Sequence, residues 1–387
     1  MTYRMLSPFV LALLATTALA CSSTPAEEEP WQDRCEEEGV TCSAYGRQAG
    51  YQTRAPAYEL GNGTTAPALT VIFQGIAGVE PVDLEFNPRR TKELWVTNYV
   101  TSHVSIITNP GKANQTVQEL RDPAYSHFML QPPAIAFGTP HPQWGQQFGT
   151  CGDGDNGGNF FMGTTLYTAD SRYFGKQTEE GRGTHLDMLH STSLCRGIAW
   201  GGTGNQYWAF NSQAKSIDFY DFRIEHLPGD DDHSDGVIRR FWKNQVKGVN
   251  GLVSHLSFNL EDKKLYVADT GNKRILVLDP SVASSVAPLS GNEPIAERMY
   301  FESPVKVLVP TGVTLQAPSG IEASGGLVFV SDAATSKIHA FKIADGSLVK
   351  TLATNLPPGS LAGLNFGPDG KIYFVDRKTS RVFRIDP

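Results

Sequence analysis

Along most of the chain short apolar runs alternate with polar turns, and one unit of that alternation recurs. The unit is a β-rich run, an Asp or Asn, a polar turn and a second β-rich run. Its copies are ELWVTNYVTSHVSII, TLYTADSRYF, QYWAFNSQAKSIDFYDF, KLYVADTGNKRILVLD, LVFVSDAATSKIHAFKI and KIYFVDRKTSRVFRID. The acidic or amide position falls at Asn98, Asp170, Asn211, Asp269, Asp332 and Asp376, where such side chains bond the backbone of a tight turn. Each copy follows another apolar run, in order VDLEF, PAIAF, GIAW, HLSF, SGIEA and GLNF. Long amphipathic helices are hard to find, whereas 38 Gly and 24 Pro suit many short strands joined by turns. Three strands per copy with a variable fourth make one blade of a β-propeller, so the six copies predict an all-β, six-bladed ring. The sixth copy supplies only three strands. ALTVIFQG, residues 68–75, is placed to add the fourth and remove an exposed edge. The propeller is therefore expected over residues 68–387.

Within that repeat, KLYVADTGNKRILVLD resembles an NHL repeat, and the last two copies are similar to weaker versions of it. The resemblance covers residues 81–387, with the second and third copies degenerate and a long insertion in the second. The peptidyl-hydroxyglycine amidating lyase is also a six-bladed propeller of this type, and inner-strand histidines hold its catalytic zinc. SHLSFNLEDKKLYVADTGNKRI is similar to one such blade, which implies a metal role for His255. The equivalent inner-strand positions here are Asp83, Ala134, Gly197, Gly320 and Gly363, none of them histidine. The lyase's reaction is therefore not implied.

Ahead of the repeats, residues 1–20 read as a secretory signal: one Arg, an apolar run too short to span a bilayer, then small residues. Ala18-Leu19-Ala20-Cys21 resembles a bacterial lipobox, which implies lipid on Cys21, and Ser22 is similar to outer-membrane lipoproteins. The expected location is the bacterial cell envelope, lipid-anchored at the outer membrane, with secretion the other outcome. Contact with membrane is then through the lipid alone. Residues 21–67 form a polar spacer and a small Cys loop. In an oxidising compartment the other four cysteines can pair in three ways. Locality favours Cys35 with Cys42 and Cys151 with Cys195. The net charge of −7 and the lack of a Lys/Arg cluster exclude nucleic acid as a partner.

Candidate chemistry concentrates in histidine, five of nine falling between residues 185 and 255. In a propeller the loops leading into the inner strands share an upper face with the turns joining strands two and three. Loops leaving strand one or strand three open on the lower face. By this rule His127, His185, His190 and His255 belong to the upper face of three consecutive blades, and His226 and His233 to the lower. His185 and His190 are five residues apart, unlike the four of an HExxH helix, so only an irregular loop converges them. A divalent metal, zinc or similar, is expected on His255, His185, His190 and His127, with Asp187 as a ligand or as the acceptor that orients a ring. Arg196, beside the channel, is a candidate for binding a carboxylate or phosphate.

Two acidic turns offer oxygen ligands for calcium as the second cofactor choice. In GDDDHSDG these are Asp230, Asp231, Asp232 and Asp235, with His233 better suited to a transition metal. GDGDNGG, residues 152–158, has Thr164 where an EF-hand loop needs Glu, so that loop is incomplete. The chain shows no nucleophile elbow, phosphate-cradling loop or dinucleotide fingerprint. Two functions follow: a metal-dependent propeller enzyme of unassigned substrate, or a non-catalytic propeller that binds a peptide, a glycan or an envelope protein.

Overall fold

A computed structural model gives the fold and describes residues 57–154, 161–176, 182–312 and 314–387. Cys21, Cys35, Cys42 and the signal segment lie outside the described residues. Blade one is built from Pro81–Phe86, Glu93–Asn98, His103–Thr108 and Thr116–Leu120. Blade two has Ile135–Phe137, Gln147–Cys151, Thr164–Thr168 and Asp187–Leu189. Blade three begins with Cys195–Trp200, Gln206–Asn211, Ser216–Asp221 and Val237–Phe241. Blade four has Leu256–Asn259, Lys264–Asp269, Arg274–Leu278 and Lys306–Val309. Blade five has Pro318–Ser324, Leu327–Asp332, Lys337–Lys342 and Leu348–Ala353. Blade six joins Leu361–Phe366, Ile372–Asp376 and Arg381–Asp386 to Ala68–Gln74, which pairs antiparallel with Arg381–Asp386. The ring is an all-β six-bladed propeller closed by an N-terminal strand, as the repeats predict.

The core is divided among the six gaps between neighbouring blades, each filled by its own apolar cluster. Middle strands are covered on both faces by adjacent blades. That is why they read as continuous apolar runs such as KLYVAD rather than alternating ones. Asn98, Asn211, Asp269, Asp332 and Asp376 each end the second strand of a blade. Asp269 and Asp332 clamp the loop leading into their own blade by accepting the N–H groups of Lys247 and Gln316, at 2.8 and 2.5 Å.

Blade two departs from the sequence reading. TLYT is its third strand, not its second, and Gln147–Cys151 is the second. Asp170 therefore follows strand three, while the position that ends strand two is Cys151. Cys151 is bonded to Cys195 at the start of blade three, the pairing expected from locality. A three-residue fourth strand, Asp187–Leu189, completes the blade.

Blade three is widened by a hairpin that belongs in sequence to blade four. Ser284–Pro288 and Glu297–Glu302 pair with each other, and Glu297–Phe301 adds in parallel to Val237–Phe241. Among the described residues no helix is long and apolar enough to cross a membrane.

Candidate metal centre

The short outer strand of blade two decides where the histidines stand. His185 precedes it and His190 follows it, so the two lie at opposite ends rather than together on the upper face. His185 is 1% exposed. The loop after the third strand of blade three closes over it, since His226 N donates to the Leu186 carbonyl (3.0 Å) and Gly229 N to the His185 carbonyl (2.9 Å). Gly229 allows that path, because its φ of 81° lies in the left-handed region. Through these bonds the loop delivers His226 and His233 to His185.

The three rings form a compact group. Ring centres lie 5.0 Å apart for His185 and His226, 5.3 Å for His226 and His233, and 6.4 Å for His185 and His233. One ring nitrogen of each lies within 4.8 Å of the others, the one such group of His, Cys, Asp or Glu among the described residues. Every Nδ1 is already committed as a donor. His185 gives it to the Arg182 carbonyl at 3.1 Å, His226 to the Leu227 carbonyl at 2.7 Å, and His233 to Asp187 Oδ1 at 2.8 Å. That fixes one tautomer in all three and leaves Nε2 as the lone-pair atom. Nε2 of His226 is buried with no hydrogen-bond partner, which a bound cation would explain. Tetrahedral zinc with bonds of about 2.0–2.1 Å needs nitrogens about 3.4 Å apart, inside the 4.8 Å within which the ligand atoms of this group lie.

Electrostatics favour the neutral, ligating form in two of the rings and act the other way in the third. Burial pulls His185 down to about 2, with the neighbouring His226 and His233 adding to the effect, and burial also lowers His226. His233 is raised: burial acts against its charge, but the hydrogen bond and charge of Asp187 outweigh it. Burial in turn pushes Asp187 up to about 6. Phe128 stacks on His185 with ring centres 3.8 Å apart, fixing the plane of the deepest ring.

The remaining candidates fall elsewhere. His190 contacts Glu293 of the added hairpin through Nδ1, and Arg298 holds that carboxylate at 3.1 Å. His127 lies 5.7 Å from His190, ring to ring, with Nδ1 buried and without a partner. Burial lowers His127 to about 4, followed in effect by His190 and His233.

His255 does not join the group. Its Nε2 donates across the channel to the Pro133 carbonyl at 2.9 Å, and its Nδ1 stands 3.5 Å from Asp83. Both nitrogens face oxygen, which makes it a strut between inner strands. The glycines beside it serve close packing: a Cβ on Gly197 would meet the Ser254 carbonyl at 2.4 Å.

Arg196 is 4% exposed and pairs with Asp153 and Asn250, so its charge is already neutralised. The acidic turn folds itself. Asp230 accepts from Asp231 N (2.9 Å), Asp232 from Ser234 N (3.1 Å) and Asp235 from Ile224 N (3.1 Å), while Asp231 pairs with Arg182. These four carboxylates do not converge, and of residues 152–158 only 152–154 are described. The sequence reading missed His226 as a site residue, and it missed Glu293.

No protein-family model matches the chain, and no curated protein matches it in sequence. Solved structures do. An auxiliary nutrient binding protein from Bacteroides thetaiotaomicron is similar at 12% identity and a TM-score of 0.55, over 82% of this chain and 75% of that one. One from Bacteroides ovatus gives 12% and 0.54, over 83% and 76%. The luciferin-regenerating enzyme gives 12% and 0.52, over 83% and 96%. The likeness is one of fold. It extends over blades whose sequences have diverged, and the function has to be argued from the histidines.

Proposed function

We propose that the chain is a metal-dependent propeller of the bacterial envelope, tethered through Cys21, with zinc or a similar divalent ion on His185, His226 and His233. One observation carries this reading: three imidazoles from two blades converge, each with Nδ1 bound to an oxygen and Nε2 left for a cation. Three neutral protein ligands and an open fourth position are the arrangement of catalytic rather than structural zinc, which is closed by four protein ligands. A metal so held polarises an oxygen of whatever binds beside it. The chain's own contribution is to orient the rings through Asp187 and two backbone carbonyls, and to keep His185 neutral by burial.

The test is metal analysis of protein purified without an affinity tag. About one equivalent of zinc or a related ion is expected, retained in His255→Ala and lost in His226→Ala. Native protein free of metal, which also fails to take up added zinc, would sink the reading. Loss of metal in His255→Ala with His226→Ala unaffected would move the site back to the channel.

A further inference from the structure

Two histidines stand apart from the group of three and close to each other. His190 follows the outer strand of blade two. The loop of the added hairpin, residues 289–296, brings Glu293 to it: one carboxylate oxygen accepts His190 N (3.0 Å) and the other meets Nδ1. Arg298 holds that carboxylate at 3.1 Å. Nδ1 is therefore the protonated nitrogen and Nε2 carries the lone pair, on a side chain that is 23% exposed. Glu293 orients His190 as Asp187 orients His233. His127 offers the complement. Its Nδ1 is buried and has no hydrogen-bond partner, and burial keeps the ring neutral by lowering it to about 4. Phe128 and Phe161 wall the ring, with centres 4.5 and 4.6 Å away. A buried ring nitrogen so placed calls for a partner that the protein does not supply.

The spacing of the pair fits a shared ion. A ring centre lies about 3.2 Å from a zinc bonded to its nitrogen, so two imidazoles on one tetrahedral zinc have centres about 5.2 Å apart. The right angle of a square-planar ion would bring them to about 4.5 Å. His127 and His190 stand 5.7 Å apart, within the 5.0 to 6.4 Å of the first group. Phe128 separates the two groups, edge-on to His127 and stacked on His185. We infer that His127 Nδ1 and His190 Nε2 bind a second divalent ion, zinc or one of like geometry, with water in its remaining positions. Two protein ligands hold an ion less tightly than three, so this ion is lost on purification and regained on titration.

The inference does not require the first centre, and its test separates the two. The full chain, purified without a tag and stripped with a chelator, is titrated with zinc against a chromophoric competitor. About two equivalents are expected. His226→Ala should lose the tighter one and keep the weaker. His127→Gln and His190→Gln should each lose the weaker and keep the tighter. In the unmutated protein the second equivalent, not the first, should protect His190 from diethyl pyrocarbonate, read by peptide mass spectrometry. A single equivalent that vanishes in His226→Ala would overturn the inference and leave the first centre standing. So would a second equivalent that survives both glutamine variants, or one that leaves His190 open to modification. A single equivalent that survives His226→Ala and is lost in His190→Gln would uphold the second site and sink the first. No uptake at all would overturn both.

Discussion

Asp187 shows how one side chain orients the histidine cluster without being part of it. It lies in the three-residue outer strand of blade two, fully buried, and accepts the Nδ1–H of His233. Asp187→Asn keeps the volume but removes the charge that raises His233 and sets its tautomer. Zinc affinity measured by competition with a chromophoric chelator should fall by 10–100-fold, approximately the loss seen when such outer partners are removed. An unchanged circular dichroism spectrum would show that the fold survives. His255 teaches the opposite lesson. It is the most channel-facing histidine and resembles a ligand in sequence, but both its nitrogens are occupied by oxygen partners. The wiring of a histidine, unlike its position in a repeat, cannot be read from one sequence.

At the scale of the element, most of the fold was legible and most of the site was not, for the same reason. Five blades announce themselves by an Asp or Asn ending strand two, a side chain that bonds the adjoining turn or strand and, in Asn211, Asp269 and Asp332, also the loop leading into the blade. Blade two has Cys151 in that place, so the pattern slips by one strand and TLYTADSRYF is mistaken for strands two and three. With the slip corrected, Asp187–Leu189 becomes strand four. His185 then falls on the lower face with His226 and His233, where the rule for loops had already put those two. The signal was present in QFGTC, a β-rich run ahead of a disulfide cysteine. The three-residue strand gives none, since its pairing rests on neighbours. The disulfide has a mechanical role at this joint, tying strand two of blade two to strand one of blade three across a separation of 44 residues. The Cys151→Ser, Cys195→Ser double variant should lose about 2–4 kcal/mol in urea unfolding. It should still bind metal, because none of the three rings contacts either cysteine.

For the whole molecule the decisive feature is the central cavity of about 110 Å³, lined by Asp83, Glu85 and Glu322 together with His255. Burial raises all three carboxyls, and Glu322 reaches about 8 against an ordinary 4.5. A carboxyl with a raised folded-state value stabilises the fold fully below its ordinary range. That contribution is lost as pH rises through the folded value. The part of the resistance to urea that Glu322 supplies is therefore full near pH 4.5 and is lost progressively as pH rises to about 8. Glu322→Gln, which keeps the Ser257 hydrogen-bonding position without the charge, should weaken less over that window. An identical slope in the two proteins would show that Glu322 is not the group responsible.

The closing strand has a consequence for orientation. Ala57 and Leu60 pack into the apolar cluster between blades five and six, and Ala68–Gln74 seals blade six. In a six-membered ring that junction stands diametrically across from the one between blades two and three, where the histidines meet. The described chain therefore enters the ring at Ala57 on the side opposite the histidine cluster. A tether attached on that side would leave the histidine cluster on the opposite rim, facing away from the anchor.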